Sequence, residues 1–235
     1  MFRVEETHWW FAGKRRLVRV LLDSLPPQAG RRILDVGCGT GGMFLLLKDY
    51  GCIVGVDESD IALRFAAQRP HAQLGRATLP DLPFPDRSFD LLTCFDVLYH
   101  RDVSDDQWAL REMARVLRPG GRLVISDSAL GVLRSRHDEA MHGARRYTTG
   151  ELRAKLVAAG FTLERLSYAN FFVFPLAVLW RRLQRTRGGA PESDVRAAPD
   201  WLNRLMGTLY RGEATLLKRA PLPVGTSVLA LARKE

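Results

Sequence analysis

The first half of the chain alternates short apolar runs with stretches whose apolar residues recur at helical spacing. Residues 33–36 and 52–56 are short apolar runs of the kind that forms buried parallel strands, and glycine or an acid follows each of them. Between these runs, MFLLLKDY at 43–50 predicts a helix that Gly51 ends. The order strand, helix, strand predicts one half of a doubly wound α/β fold.

The same patterns continue along the chain. Helices are predicted over 60–69, with Ser59 or Asp60 as N-cap, over 105–121, with a stop at Gly120-Gly121, and over 150–160, with Thr148 or Thr149 as N-cap. Further strands are predicted over 72–77, 91–95, 122–129, 161–168 and 224–234.

The amino-terminal stretch combines an amphipathic helix with an aromatic cluster. Residues 17–25 carry a helical apolar stripe that Pro26-Pro27 ends, and His8-Trp9-Trp10-Phe11 precede it. Four neighbouring rings are costly to expose, so the cluster either packs on the core or folds over a cleft as a lid.

Composition bounds the class of protein. With 235 residues, 46% of them hydrophobic, one domain with elaborations is expected. Three cysteines without metal or C-x-x-C spacing, and no apolar leader, predict unpaired thiols and a cytoplasmic protein. The net charge of +9 permits RNA binding, but the arginine clusters adjoin apolar segments, which suits anionic lipids or phosphorylated substrates equally well.

The glycines at 37–42 predict a nucleotide-like ligand. Gly37, Gly39 and Gly41 allow a tight turn, and the alternative G-x-G-x-x-G reading also fits a dinucleotide whose ribose would meet Asp57. Asp35, just before the turn, would repel a pyrophosphate and attract an amino group. These residues therefore favour a ligand that is part cation and part nucleoside.

Four motifs carry a family resemblance. I-L-D-V-G-C-G-T-G at 33–41, V-G-V-D at 54–57, L-P-F with S-F-D across 82–90, and V-L-R-P-G-G at 116–121 resemble the class I S-adenosylmethionine-dependent methyltransferases, in particular their small-molecule, type 11-like group. The resemblance implies an α/β, Rossmann-like, seven-stranded and mostly parallel sheet with helices on both faces. Its last strand would be antiparallel and lie beside the sixth. The implied cofactor is S-adenosyl-L-methionine.

The resemblance also implies the residues around the cofactor. They come from the amino-terminal segment, the glycine turn and the ends of the strands, and they are Trp10, Arg15, Asp35, Gly37, Cys38, Gly39, Gly41, Asp57, Glu58, Ala77, Thr78, Phe95 and Asp96. Arg16 is an alternative to Arg15 as the partner of the methionine carboxylate. Many relatives carry an acid before the alanine at 77, and this chain carries Arg76.

Catalytic candidates lie where the fourth strand ends. His100 is a candidate general base and Tyr99 a neighbouring candidate, with His8 of the aromatic cluster as a further base. Each is also explained by packing or capping. No metal is expected, because His137 and His142 have no third ligand in pattern.

The chain is expected to form one methyltransferase domain in four parts. These are a helical cap at 1–30, a cofactor-binding core at 31–167, a helical insert or lid at 168–222 and the last strand at 223–235. The apolar run 168–180 is shorter than the about 20 residues that span a bilayer, and arginines follow it within 181–187. It is a buried lid, a peripheral membrane contact or plain packing.

The expected reaction is methyl transfer to a small, hydrophobic or lipid-linked acceptor, with O-, N- or C-methylation left open. The Asn/Asp-Pro-Pro-Tyr signature of nucleic-acid amine methyltransferases is absent, which argues against a nucleic-acid partner. An RNA methyltransferase, a non-catalytic S-adenosylmethionine-binding protein and a nicotinamide-dependent oxidoreductase remain as alternatives. The oligomeric state is left open.

Overall fold

The computed structural model describes Phe2 and residues 4–133, 143–179 and 198–235. In chain order its elements are α1 (Trp9–Leu22), β1 (Arg32–Val36), α2 (Phe44–Leu47), β2 (Cys52–Asp57), α3 (Asp60–Ala66), β3 (Ala72–Arg76), β4 (Phe89–Phe95), α4 (Asp106–Val116), β5 (Leu117–Ser128), α5 (Thr149–Ala158), β6 (Phe161–Ala169), α6 (Asp200–Arg219) and β7 (Ser227–Lys234). Residues 174–179 are also helical.

The strands form one seven-stranded sheet in the order β3-β2-β1-β4-β5-β7-β6. The first five strands pair in parallel, while β7 runs antiparallel between β5 and β6. This confirms the predicted fold class, including the antiparallel last strand beside the sixth. Because all five parallel strands end at one edge, their carboxyl-terminal residues gather on one side of the molecule.

Helices cover both faces of the sheet. Neighbouring residues of β1 point to opposite faces, so Leu34 joins a core cluster beneath α4 and α5, and Ile33 joins one beneath α1 and α2. Burial on both faces explains why β1 is apolar almost throughout.

The helix ends resolve two choices that the sequence left open. Ser59 caps α3 through its hydroxyl, and Thr148 caps α5 in a reciprocal capping box with Glu151. Helix α4 ends at Val116, earlier than the predicted stop at Gly120-Gly121. A helix could not continue through Pro119, whose ring would clash with the preceding turn, so the chain is already extended at Leu117 and enters β5.

The insert helix α6 packs against α1. The Trp9 and Tyr210 rings lie 6.2 Å apart, and a Cβ at Gly13 would lie 2.6 Å from the Tyr210 ring. The Trp9 amide donates to Asn203 Oδ1 at 3.0 Å. The aromatic cluster at the amino terminus therefore packs against the insert.

The arginines within 181–187, like His137 and His142, lie outside the described residues. Within the described ranges, every helix is too short or too polar to cross a lipid bilayer.

Candidate functional site

The turn between β1 and α2 has a backbone that only glycine adopts readily. Gly37, Gly39 and Gly41 have φ angles of 68°, 55° and 77°. A Cβ at Gly37 would lie 2.2 Å from the Val97 side chain, whereas one at Gly39 would meet nothing within 4 Å. The turn thus packs tightly against Val97 at Gly37 and has open space beside Gly39, so a ligand can reach the backbone of the turn at Gly39.

Cys38 anchors the same turn to the sheet. Its amide donates to the Val56 carbonyl at 2.9 Å, and its thiol is buried. Burial raises the pKa of this thiol, so Cys38 stays protonated and serves as a small packing residue.

Asp35 lies at the end of β1 as a buried acid. The Thr93 hydroxyl donates to its Oδ1 at 2.5 Å. Burial raises the pKa of Asp35 from 3.8 to about 7, while the Thr93 hydrogen bond and the charge of Lys14 act in the opposite direction. A cationic group placed beside this carboxyl would favour its ionised form.

Asp57 connects the glycine turn to the next helix. Its two carboxylate oxygens accept hydrogen bonds from the Gly39 amide at 2.8 Å and from the Ser59 amide at 2.9 Å. These bonds orient the carboxylate at the carboxyl end of β2, where a ribose would be recognised.

The residues expected at the adenine lie beside this acid. The Ala77 amide donates to the Asp57 carbonyl at 3.2 Å, and the Thr78 hydroxyl donates to Glu58 at 3.3 Å. The structure therefore brings Asp57, Glu58, Ala77 and Thr78 together. Arg76, which stands where many relatives have an acid, pairs with Asp60 on the surface.

The segment before α1 lies against the glycine turn. Buried Glu5 accepts hydrogen bonds from the Thr40 hydroxyl at 2.5 Å and from Arg69 at 3.0 Å. Arg15 donates to the Glu5 and Glu6 carbonyls at 2.9 and 3.0 Å. Arg15 thus fastens this segment, and Arg16 is exposed on α1.

Lys14, which the sequence reasoning missed, is the α1 cation that reaches the end of β4. Its ammonium pairs with Asp96 and lies 5.4 Å from the centre of the Phe95 ring. Its position gave a usable signal, because Lys14 shares a helical face with buried Leu17 and Leu21. A narrow cavity here is lined by Trp10, Lys14, Leu17, Val18, Asp96, Ser126, Ala169, Asn170, Ser227 and Leu229.

The loop after β4 carries two of the catalytic candidates. Tyr99 is 7% exposed, and its amide donates to Asp127 at 3.1 Å. His100 Nδ1 lies 3.0 Å from an Asp102 carboxylate oxygen. The third candidate, His8, caps α1 by accepting the Trp10 amide on Nδ1 at 3.2 Å.

Asp127 is a second residue that sequence reasoning missed. It is fully buried at the end of β5, and its Oδ2 has no hydrogen-bond partner. Burial, followed by the charge of Asp96, raises its pKa well above the usual range. Asp127 lies within the predicted strand R-L-V-I-S-D-S-A, and no motif in that strand indicates a functional acid.

In the described part of the chain, one group of three residues has side chains close enough together to bind a metal ion. Ligand atoms of Glu58, His100 and Asp102 all lie within 4.8 Å of one another. Two of these residues are exposed carboxylates, and His100 Nδ1 already contacts Asp102 at 3.0 Å.

Comparisons with known proteins agree with this geometry. Residues 34–125 match the family described as methyltransferase domain. The chain is 34% identical over 125 residues to 27-O-demethylrifamycin SV methyltransferase of Amycolatopsis mediterranei, covering 49% of this chain and 45% of that protein. It is 38% identical over 128 residues to demethylmenaquinone methyltransferase of Tropheryma whipplei, covering 53% and 49%. The chain thus spans about half the length of these curated relatives.

A solved S-adenosylmethionine-dependent methyltransferase of Thermotoga maritima superposes with a TM-score of 0.63 at 22% identity, covering 100% of this chain and 92% of that one. Residues 34–125 therefore match a methyltransferase domain, the described chain has the Rossmann-like fold of class I methyltransferases, and the cofactor of this class is S-adenosylmethionine. The predicted family, fold and cofactor are confirmed.

Proposed function

We propose that the protein transfers the methyl group of S-adenosylmethionine to a small-molecule acceptor. The observation that carries this proposal is the arrangement of two acids around one glycine turn. Asp35 is buried directly before the turn, and Asp57 holds the Gly39 amide from the other side. The arrangement offers one carboxylate to an ammonium group and a second to ribose hydroxyls, with open space in front of Gly39 between them.

These residues fit the cofactor group by group. Asp35 would hold the ammonium, Asp57 the ribose, and Ala77 with Thr78 the adenine. The cofactor supplies the electrophilic sulfonium methyl group, so the chain needs to orient the acceptor and exclude water. His100, held by Asp102, is the proposed base if the acceptor is a hydroxyl, with Tyr99 and His8 as further catalytic proposals.

We propose a small organic molecule with an apolar body as the acceptor. The cavity beneath α1 combines the polar side chains of Asp96, Ser126 and Asn170 with an aromatic wall from Trp10. Two relatives named for demethylrifamycin and demethylmenaquinone support the same acceptor class. A hydrophobic or lipid-linked acceptor is therefore the finer proposal.

Transfer of a radiolabelled methyl group tests the function. Purified full chain with methyl-tritiated S-adenosylmethionine is supplied with prenylated quinols, hydroxylated aromatics, small amines or total RNA. We expect label in the organic-extractable small molecules. Asp57→Ala should abolish transfer because Gly39 and Ser59 lose their shared acceptor, while exposed Asp81→Asn should not. Label in RNA alone would identify an RNA methyltransferase, and cofactor binding without transfer to any acceptor would identify a non-catalytic protein.

The proposed membrane contact of 168–187 has a separate test. Leu176 and Leu179 are 60% and 57% exposed at the end of the described part of this segment. Exposed leucines next to arginines suit an anionic lipid surface. We expect co-sedimentation with anionic vesicles that Leu176→Ser with Leu179→Ser removes, while Ile61→Ser, at an even more exposed apolar position on α3, leaves binding intact. Equal sedimentation of all variants would contradict the contact.

A further inference from the structure

The ion pair between Lys14 and Asp96 joins the helix that covers the site to the strand that ends at its centre. Lys14 reaches from α1, and its side chain is 17% exposed, against 44% for Asp96. The same ammonium lies over the Phe95 ring. A largely buried ammonium group is stable only beside an anionic partner, and the Asp96 carboxylate is that partner.

Lys14 also lies among acids from three neighbouring strands. It acts electrostatically on Asp35 at the end of β1 and on Asp127 at the end of β5, besides its direct contact with Asp96 after β4. A ligand that brings one further carboxylate and one ammonium into this region would redistribute these pairings. The ammonium would match Asp35, and the carboxylate has Lys14 as its nearby cation.

Asp96 has a left-handed backbone at the end of β4, where the site lies. Its φ of 57° lies in the left-handed region, which side-chain-bearing residues rarely adopt, and its amide donates to the Ser126 carbonyl at 2.8 Å. Asp96 directly follows β4 and precedes the loop that carries Tyr99 and His100. It lines the cavity beneath α1 together with Ser126 and Asn170.

We infer that Lys14 exchanges its partner Asp96 for the carboxylate of the cofactor's methionine part when the cofactor binds, so that Asp96 is released to receive the acceptor. This inference rests on the proposed function. In the structure Asp96 stands in for the cofactor's carboxylate. Once released, it accepts a hydrogen bond from a hydroxyl or an amine, so the acceptor bears one of these groups and binds after the cofactor.

Calorimetric titration of the full chain separates this exchange from ordinary cofactor contacts. S-adenosylhomocysteine carries the amino-acid part, and 5′-methylthioadenosine has the same nucleoside without it. Losing one charge-assisted hydrogen bond corresponds to a roughly 10- to 150-fold change in affinity. Lys14→Gln should weaken S-adenosylhomocysteine by that factor and leave 5′-methylthioadenosine unchanged, while Lys14→Arg should retain most of the affinity.

The second variant gives the diagnostic result. Asp96→Asn removes the competing anion, so it should tighten S-adenosylhomocysteine at least threefold and leave 5′-methylthioadenosine unchanged. The gain should vanish in the double variant with Lys14→Gln. Arg111→Gln, at an exposed position of α4, and Asp81→Asn are the matched charge controls and should change the affinity for neither ligand.

Several outcomes would overturn the exchange while leaving the proposed function standing. These are weaker or unchanged S-adenosylhomocysteine binding by folded Asp96→Asn, or equal losses for both ligands in Lys14→Gln. A folded wild-type chain that binds neither ligand would overturn the exchange and the proposed function together.

Discussion

Replacing Asp35 by asparagine should stabilise the protein at neutral and alkaline pH while removing its affinity for the cofactor. The Asp35 carboxyl is buried, and among the described residues its side-chain hydrogen bond comes from Thr93. The asparagine side chain would keep an oxygen for that hydrogen bond and carry no charge. The substitution therefore removes a buried charge without removing the shape of the side chain.

The magnitude follows from the pKa. Burial raises the pKa of Asp35 from 3.8 in the unfolded chain to about 7 in the folded one. Between these values the folded protein keeps a proton that the unfolded chain has lost, so stability falls as the pH rises and the loss is complete above pH 7. At 1.36 kcal/mol per pKa unit, the total loss is about 4 kcal/mol, of which roughly 2.5 kcal/mol falls between pH 5 and pH 8.

Urea denaturation of wild type and Asp35→Asn at pH 5 and pH 8 measures this difference. The stability of the variant relative to wild type should rise by roughly 2.5 kcal/mol between the two pH values. Contributions of the new amide that do not depend on pH cancel in this comparison. A relative stability that is the same at both pH values would refute the argument that burial raises the pKa of Asp35.

Two further predictions concern the backbone. Gly37→Ala should strongly destabilise the glycine turn, because its Cβ would lie 2.2 Å from the Val97 side chain and its φ of 68° is unfavourable for alanine. The control is Gly131→Ala, whose Cβ would meet nothing within 4 Å, and it should change neither thermal unfolding nor S-adenosylhomocysteine binding. Thr148→Ala should lower stability by about 1 kcal/mol, a fall in Tm of roughly 2–4 °C, because α5 loses its capping box. Thr149→Ala is its control, and equal Tm values for the two variants would contradict the capping argument.

The sheet could be predicted almost completely from the sequence because each strand is recognised from its own residues and from those that directly follow it. The central strands β1, β2 and β4 are short apolar runs, and turn residues or acids mark where they end. Likewise, Asp35, the glycine turn and Asp57 fall within one continuous strand, turn, helix and strand unit, so their proximity follows from the fold class. The adjacency of Ala77 and Thr78 to Asp57 follows from the parallel pairing of β2 with β3.

The residues that sequence reasoning missed depend on packing between distant segments. The family resemblance led to the prediction of Arg15, or Arg16, as the partner of the cofactor carboxylate, and in the structure the Arg15 guanidinium donates to the Glu5 and Glu6 carbonyls. Which cation of α1 reaches β4 is set by how α1 rotates against the sheet and the insert helix α6. Lys14 faces inward because it lies on the same helical face as buried Leu17. The run of basic residues at 14–16 does not by itself indicate which of them faces inward.

Asp127 was missed for a related reason. An acid within an apolar strand is ordinarily assigned to the solvent side or to a strand end. Here the strand is covered on both faces, so the carboxyl is fully buried and supports the loop that carries Tyr99. Only the packing of α1 and of the β4 loop over the sheet reveals this environment.

Titration of the full chain with S-adenosylhomocysteine and, separately, with NADH tests the central claim most directly. Isothermal calorimetry should show one molecule of S-adenosylhomocysteine bound per chain, loss of that binding in folded Asp57→Ala, and no binding of NADH. Binding of NADH by the wild-type chain, or no heat of binding with S-adenosylhomocysteine, would contradict the assignment of the glycine turn and its two acids to S-adenosylmethionine.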